Sequence, residues 1–401
     1  MTFHGHDLVV IGSGISGASV ARYWADRGKR VLVLERRTHI GGNVYDEVDE
    51  HGVLVQRYGP HIFHGNNKNV WEWVERFATW NNFDFHPAVV MNGIETPVPF
   101  NFTTIDLFNN PDQAEAIKAA LLGEFPGRES VVVARCLASD NPLVRSWAQF
   151  LWEHDYKPYT AKQWGRRPED VDRAVLQRVP ITLSYEWNYF PSNHRVAMPV
   201  GGFTALVASM LDHPLITVHL DVDENTALEI ADGQTLVFGE LCVVPVVFTG
   251  ALDQLFRGAC GHLPYRTLTF AWHHDQIPSF QNAPVVSHPQ ADSYTRITEY
   301  TKLPPQQAAS TTYAIEYPGE YVPGENDPYY PISNHENAAI YQQYLTLTGA
   351  VPNLHLCGRL ANYKYYDMSP AIAVALKCAA SADLPGSTSR ARPHGHVKGT
   401  G

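Results

Sequence analysis

Residues 7–35, DLVVIGSGISGASVARYWADRGKRVLVLE, constrain the fold more than any other stretch of the chain. An apolar strand over 7–11 runs into Gly12, Gly14 and Gly17, spaced as G-x-G-x-x-G, and then into a helix over about 16–27 that Gly28 terminates. A second strand, 31–34, ends at Glu35. This order of strand, turn, helix and strand is the dinucleotide-binding βαβ unit. Gly12 permits the tight turn, Gly14 lets the backbone approach a pyrophosphate, and Gly17 lets the helix lie close to the strand. Ile15 and Ser16 open the helix against the same phosphates. Glu35 can accept hydrogen bonds from both hydroxyls of an adenosine ribose, and its charge would repel the 2′-phosphate of NADP.

The next segment moves the expected cofactor from NAD to FAD. Arg36, Ile40, Gly41, Gly42 and Asn43 form R-x-x-x-I-G-G-N, which resembles the second pyrophosphate contact of glutathione-reductase-type flavoproteins. The expected fold class is therefore α/β, a Rossmann-like FAD-binding domain with a helical insertion and an antiparallel sheet domain. A chain of 401 residues with 44% hydrophobic and 18% charged residues has ample material for such a core. Its net charge of -11 disfavours nonspecific nucleic-acid or anionic-membrane binding. Cys136, Cys242, Cys260, Cys357 and Cys378 are scattered without C-x-x-C. With no room for a signal peptide before the first strand and no apolar run of membrane-spanning length, a reduced, cytoplasmic protein is expected. The histidines, His61–His64 and His273–His274 included, bring no third ligand at metal-binding spacing, so no metal is expected.

Along the chain, hydrophobic spacing predicts a helix over 65–82, a hairpin over 85–100 turning at Asn92-Gly93, and helices through 104–164. A strand pair is expected over 185–198, a helix over 203–211, strands at 216–220, 241–249 and 353–357, and an antiparallel sheet over 265–317. The last helix is expected at 370–380, with Ser369 as N-cap and Pro370 in the first helical position. These assemble into a discontinuous FAD domain (1–82, 199–250, 350–384) and a helical domain (101–178) with a mobile lid near 165–178. The substrate sheet takes 83–100, 179–198 and 251–349, and 385–401 is a disordered tail.

Further motifs lie outside the fingerprint: YGPHIFH (58–64), YTAKQWG (159–165), RVP (178–180) with NYF (188–190), YTRITEY (294–300), PYYPI (328–332) and GRLANYKYYDM (358–368). In this order they resemble the bacterial UDP-galactopyranose mutases over about 7–376. The resemblance implies a non-redox ring contraction of a nucleotide sugar, UDP-galactopyranose to UDP-galactofuranose, in cell-wall or polysaccharide biosynthesis. The covalent catalyst would be reduced FAD, whose N5 forms an adduct with the sugar, and an external reductant such as NAD(P)H or dithionite would maintain it. A homodimer is also implied.

A diphosphate needs planar, permanently charged donors, and Arg178 and Arg296 have that chemistry. The matching family arginines hold the pyrophosphate as a flap closes. By resemblance, Tyr189, Tyr330 and Tyr365 hydrogen-bond phosphates, while Tyr156, Tyr159, Trp164 and Phe190 belong to the nucleotide pocket. Tyr363 and Tyr366 fit a core role equally well. His61, Ile62 and His64 belong to a loop that passes the flavin ring, with His64 a candidate for proton transfer. Arg359, Asp367 and Met368 approach the flavin from the end of the chain. Asp367 either meets substrate or merely caps the last helix, whose positive end would stabilise a reduced, anionic flavin.

Two other readings follow from the residues. A flavin oxidoreductase of the amine oxidase type would share the fingerprint without needing paired arginines and phosphate-binding tyrosines. An inert nucleotide-sugar binder would keep the fold without turnover. The chain also departs from the family. Asp155-Tyr156 stand where two phenylalanines are usual near the base, Cys357-Gly358-Arg359 where Gly-Gly-Arg is common, Met368-Ser369 where Met-His is common, and His64-Gly65 where His-Thr is usual. The first change leaves the base open, so dTDP-fucopyranose or UDP-arabinopyranose stays an alternative substrate.

Overall fold

The structure, a computed structural model, describes residues 1–165, 167, 170, 180–332 and 334–382. It separates into two compact units. One comprises Met1–Gly42, Val207–Pro264 and His335–Gly401; the other comprises Asn43–Leu206 and Tyr265–Asn334.

The first unit is built on five parallel strands in the order Ile216–His219, Val31–Leu34, Leu8–Ile11, Val246–Phe248 and Leu354–Leu356. The middle strands are runs of Val, Leu, Ile and Phe no more than 2% exposed, the composition of a parallel sheet covered on both faces. Helices Ile15–Ala25 and Met368–Ala382 lie together. Ala18, Ala21 and Ala25 on one and Ala371, Ala375 and Ala379 on the other are buried, so small side chains permit the close approach. The Trp24 indole N–H donates to the Ala379 carbonyl at 3.1 Å and fixes their register.

The second unit carries a seven-stranded sheet in the order Tyr330–Pro331, Tyr265–Asp275, Thr311–Glu320, Arg296–Glu299, Val285–Ser287, Ala88–Met91 and Ile94–Pro97. It is antiparallel except where Val285–Ser287 runs parallel to Ala88–Met91. The helices of residues 102–164 bury Ile105, Leu121, Val144, Trp147, Leu151 and Tyr156 in one core. A π-helical turn, Trp152–Tyr156, joins Pro142–Leu151 to Lys157–Trp164.

Several expectations change. Residues 65–82 hold only a short helix, Lys68–Val74, flanked by strands Phe63–Gly65 and Trp80–Asn82. Both pair with Arg195–Pro199, so strand pairing at long range overrides local helical spacing. Within 185–198 only that one strand forms, because the turn in which the His194 amide donates to the Pro191 carbonyl interrupts any partner. The 241–249 strand shortens to Val246–Phe248, since Glu240–Leu241 pairs with Gln234–Val237 instead. The last helix begins at Met368, and the Ala371 amide donates to the Asp367 carbonyl. Ser369 and Pro370 therefore lie inside the first turn, and Ser369 is not the N-cap. The structure also groups the chain differently: 43–82 belong with the sheet unit, and 251–264 and 335–349 with the dinucleotide unit. Arg178, most of the expected lid and the 385–401 tail lie outside the described residues. Among the described residues no helix is long and apolar enough to cross a membrane, and no group of His, Cys, Asp and Glu could hold a metal ion.

Candidate functional site

In the first unit the two glycine motifs meet. Gly12 has φ +101°, and a Cβ there would lie 2.1 Å from Thr249 Oγ1, whose hydroxyl donates to the Ile11 carbonyl at 2.7 Å. A Cβ on Gly17 would stand 2.0 Å from the Gly12 carbonyl oxygen. Gly41 pairs with Gly14, and a Cβ on Gly42 would reach within 3.0 Å of Gly14 Cα. The backbone is thus packed against itself around the turn, with the Gly12, Ser13 and Gly41 amides bonded within the chain, and the first helix opens just beyond, at Gly14, with the positive end a pyrophosphate needs.

Glu35 is 5% exposed. Its Oε2 accepts the Ser13 amide at 2.8 Å and the Ser13 hydroxyl at 2.7 Å, and its Oε1 accepts the Arg37 amide at 2.9 Å. These bonds hold a charged acceptor at the strand end, where a ribose would be read. Ile15 and Ser16 are buried at the helix start, Arg36 is exposed, and Asn43 follows in the short turn Gly42–Val44. Gly358, at φ +93°, packs beside Ser16 and Thr249. Arg359 donates to the Tyr366 carbonyl at 2.5 Å and stacks over Tyr365 at 4.8 Å. Tyr363 is structural: it is buried, its hydroxyl donates to the Pro264 carbonyl at 2.7 Å, and its ring stacks on Tyr341.

In the second unit the centre is Arg296. Its Nε and Nη2 both donate to Glu316 Oε2, at 2.8 and 2.7 Å, across the directly paired positions of two strands. The side chains are 21% and 2% exposed. Burial alone would lower the Arg296 pKa; Glu316, Tyr159 and Tyr330 reverse this and hold it well above its usual range. The guanidinium therefore stays cationic, with one edge committed to Glu316 and Nη1 outside that pair. Trp164 lies 6.3 Å from Tyr330, ring to ring. The Gly59 turn packs against Glu316 Oε2, and the His61 ring nitrogen Nδ1 is 2.8 Å from the Gly59 carbonyl, with Ile62 following.

Glu316 was not among the residues expected from sequence. Its signal would have been the strand pairing that sets it opposite Arg296, which no local motif reveals. Two other cations also escaped that reading. Lys162 Nζ donates to the carbonyls of His288 and Tyr294, at 2.8 Å each, and to that of Ala291, so it clamps the loop leading to Arg296. Arg266 donates to the Gln163 carbonyl at 2.9 Å and fills the space that a side chain on Gly165 would need, capping the helix that carries Tyr159 and Trp164.

The remaining expected residues occupy neighbouring ground. His64 stacks on Phe190 at 4.0 Å, and its Nδ1 is 3.3 Å from Nδ1 of His194. Tyr189 packs edge-on against Phe85 and Phe190. Tyr156 is buried against Phe100, and burial, with the charge of Asp155, pushes its hydroxyl well above the usual range. Burial also pushes the Asp155 carboxyl up to about 7.

Known proteins resemble this chain along most of its length. The UDP-galactopyranose mutase family model matches residues 155–365, and an NAD(P)-binding Rossmann-like domain model matches 10–77. A UDP-galactopyranose mutase from Mycoplasma pneumoniae is 36% identical over 92% of this chain and 94% of its own. One from Mycoplasma genitalium is 37% identical over 92% and 93%. A dTDP-fucopyranose mutase from Escherichia coli is 30% identical over 93% and 97%. Among solved structures, a reduced UDP-galactopyranose mutase superposes with a TM-score of 0.70 at 14% identity, over 93% of this chain and 94% of that one. A cyclohexylamine oxidase from Brevibacterium oxydans superposes with a TM-score of 0.55 at 15% identity, over 94% and 98%. That likeness is one of fold.

Proposed function

Because the chain belongs to the UDP-galactopyranose mutase family, a family of isomerases, we propose that it interconverts UDP-galactopyranose and UDP-galactofuranose with no net oxidation or reduction. The observation that carries this reading is the partly buried, permanently charged Arg296 held by Glu316 beside Tyr159 and Tyr330. An amine oxidase has no use for such a cation, whereas a departing nucleoside diphosphate does.

The glycine cradle fits FAD: its close backbone contacts leave room for a pyrophosphate at the start of the first helix, and Glu35 stands ready for the ribose. Gly12, Gly14, Ile15, Ser16, Gly17, Glu35, Arg36, Gly42 and Asn43 would hold its nucleotide half. His61, Ile62, Arg359, Asp367 and Met368 would serve the flavin half. When bound and reduced, the flavin supplies electron density at N5 for the anomeric carbon of the sugar. The chain's own part is positional and electrostatic. Arg296, joined by Arg178, pairs with the diphosphate as it gains charge and keeps it near enough to return. Tyr189, Tyr330 and Tyr365 donate hydroxyls to its oxygens, while Tyr156, Tyr159, Trp164 and Phe190 present aromatic surface to the nucleoside. His64 assists proton transfer through its pairing with His194. The same proposal includes a cytoplasmic homodimer kept active by NAD(P)H or dithionite.

The test is a panel of pyranose and furanose nucleotides incubated with dithionite-reduced and with oxidised protein, resolved by chromatography. Reduced protein should equilibrate the two UDP-galactose forms and oxidised protein should not. Turnover by oxidised protein, or NADH or oxygen consumed in step with product, would overturn the reading. The relationship to dTDP-fucopyranose mutase and the Asp155-Tyr156 pair favour a second substrate, dTDP-fucopyranose. Faster turnover of that nucleotide would replace UDP-galactose in the proposal.

A further inference from the structure

Lys162 and Arg266 have no part in the chemistry above, yet both direct a cation at backbone carbonyls around one helix. Lys162 lies on helix Lys157–Trp164, between Tyr159 and Trp164. Its Nζ donates to the carbonyls of His288 and Tyr294, at 2.8 Å each, and to that of Ala291. An ammonium has three hydrogens and no acceptor, so these carbonyls use its donors completely. The loop is also closed on itself, the His288 amide donating to the Thr295 carbonyl at 2.8 Å. From the clamped Tyr294 carbonyl the chain runs directly into Thr295, whose amide donates to the Glu316 carbonyl at 2.9 Å, and then into Arg296.

Arg266 holds the helix from the other side. It lies on strand Tyr265–Asp275, and its Nε donates to the Gln163 carbonyl at 2.9 Å and its Nη2 to the Lys162 carbonyl at 3.4 Å. In the order of the sheet, this strand and the 288–294 loop flank Thr311–Glu320 and Arg296–Glu299, the strands that carry Glu316 and Arg296. The helix itself packs on Thr311–Glu320.

We propose that Lys162, with Arg266, is a positioning residue that sets the Tyr159–Trp164 helix at a fixed spacing from Arg296, so that one nucleoside diphosphate engages both at once. The inference rests on the nucleotide-sugar reading above, in which Tyr159 and Trp164 face the nucleoside and Arg296 the diphosphate. Each half of that site has its own support, since Glu316 holds Arg296 whether or not the helix is stapled to the sheet. The two staples supply the spacing between the halves. A ligand that spans a preset spacing gains affinity, because its second contact requires little further ordering of the protein. A ligand that meets Arg296 alone gains nothing from it.

The test titrates the full-length protein and Lys162→Met with UDP and with inorganic diphosphate by calorimetry. Lys162→Met should weaken UDP binding about 10-fold and leave the affinity for inorganic diphosphate within about 2-fold. Arg266→Met removes the second staple and should show the same selective loss, which keeps the test decisive if Lys162→Met fails to fold. Equal weakening of both ligands would make the clamps general supports of the fold and overturn the proposal, as would unchanged UDP affinity in both variants. Pyranose–furanose interconversion by the wild-type protein is scored separately: UDP bound without interconversion overturns the mutase reading and not this one.

Discussion

In the dinucleotide unit the candidate binding groups come mostly from residues 11–42 and act through the backbone: glycines packed to within contact of one another, with Glu35 held by the Ser13 amide and hydroxyl. In the sheet unit, Arg296, Glu316, Tyr159 and Tyr330 come from separate strands and a helix, and act through half-buried side chains gathered on the buried Glu316 carboxylate. The first kind of site tolerates no added atom at Gly17, because the neighbour there is main chain. The second depends on charges balancing in a region shielded from water, so it fails when one partner is removed rather than when bulk is added. Substitutions separate these two modes.

Among these substitutions Gly17→Ala carries the largest expected effect. Its Cβ would meet the Gly12 carbonyl oxygen at 2.0 Å, and that oxygen cannot yield without moving the first strand. Dinucleotide binding should weaken at least about 100-fold, or about 2.7 kcal/mol, as read by flavin occupancy and calorimetric titration. Full occupancy in the variant would remove the packed glycine turn as the determinant.

Next come Arg296 and Glu316. Glu316→Ala leaves a partly buried guanidinium without its carboxylate and should cost about 2 kcal/mol in urea denaturation. Replacing both, Arg296→Met with Glu316→Leu, should recover most of that stability and still leave the protein inactive. Normal turnover by the double variant would reduce the pair to a structural device.

A separate readout is the pH dependence from Asp155, whose carboxyl burial raises from 3.8 to about 7. Between these values the folded chain retains a proton that the unfolded chain has released. Asp155 therefore makes stability fall as pH rises through this window and then level off above about 7. Asp155→Asn should flatten that part of a melting-temperature profile; an unchanged profile would move the acid-side slope elsewhere. Smallest is His194→Ala, which removes the His64 contact at the Phe190 stack. A loss of about 1 kcal/mol is expected, as a lowered kcat with KM held. A change in KM alone would argue against a part in proton transfer.

Legibility from sequence follows the same division. The cradle could be read because G-x-G-x-x-G and I-G-G-N are local patterns, and their meeting at Gly14, Gly41 and Gly42 requires only a short excursion of chain. Arg296, Tyr159, Trp164 and Tyr330 were recognisable from motifs, but their relation to Glu316 and the clamps at Lys162 and Arg266 were not. Strands 63–65 and 80–82 were hidden for a related reason, since their partner at Arg195–Pro199 lies far along the chain.

By itself the sequence determined the parallel dinucleotide sheet, the glycine turn and the acidic strand end, because short-range sterics and backbone hydrogen bonding decide those. Only the tertiary structure decided which carboxylate partners Arg296 and which lysine and arginine are spent on backbone carbonyls. Those facts depend on strand register and helix packing, where the energy of a contact is set by burial among distant residues and leaves no pattern in its neighbours.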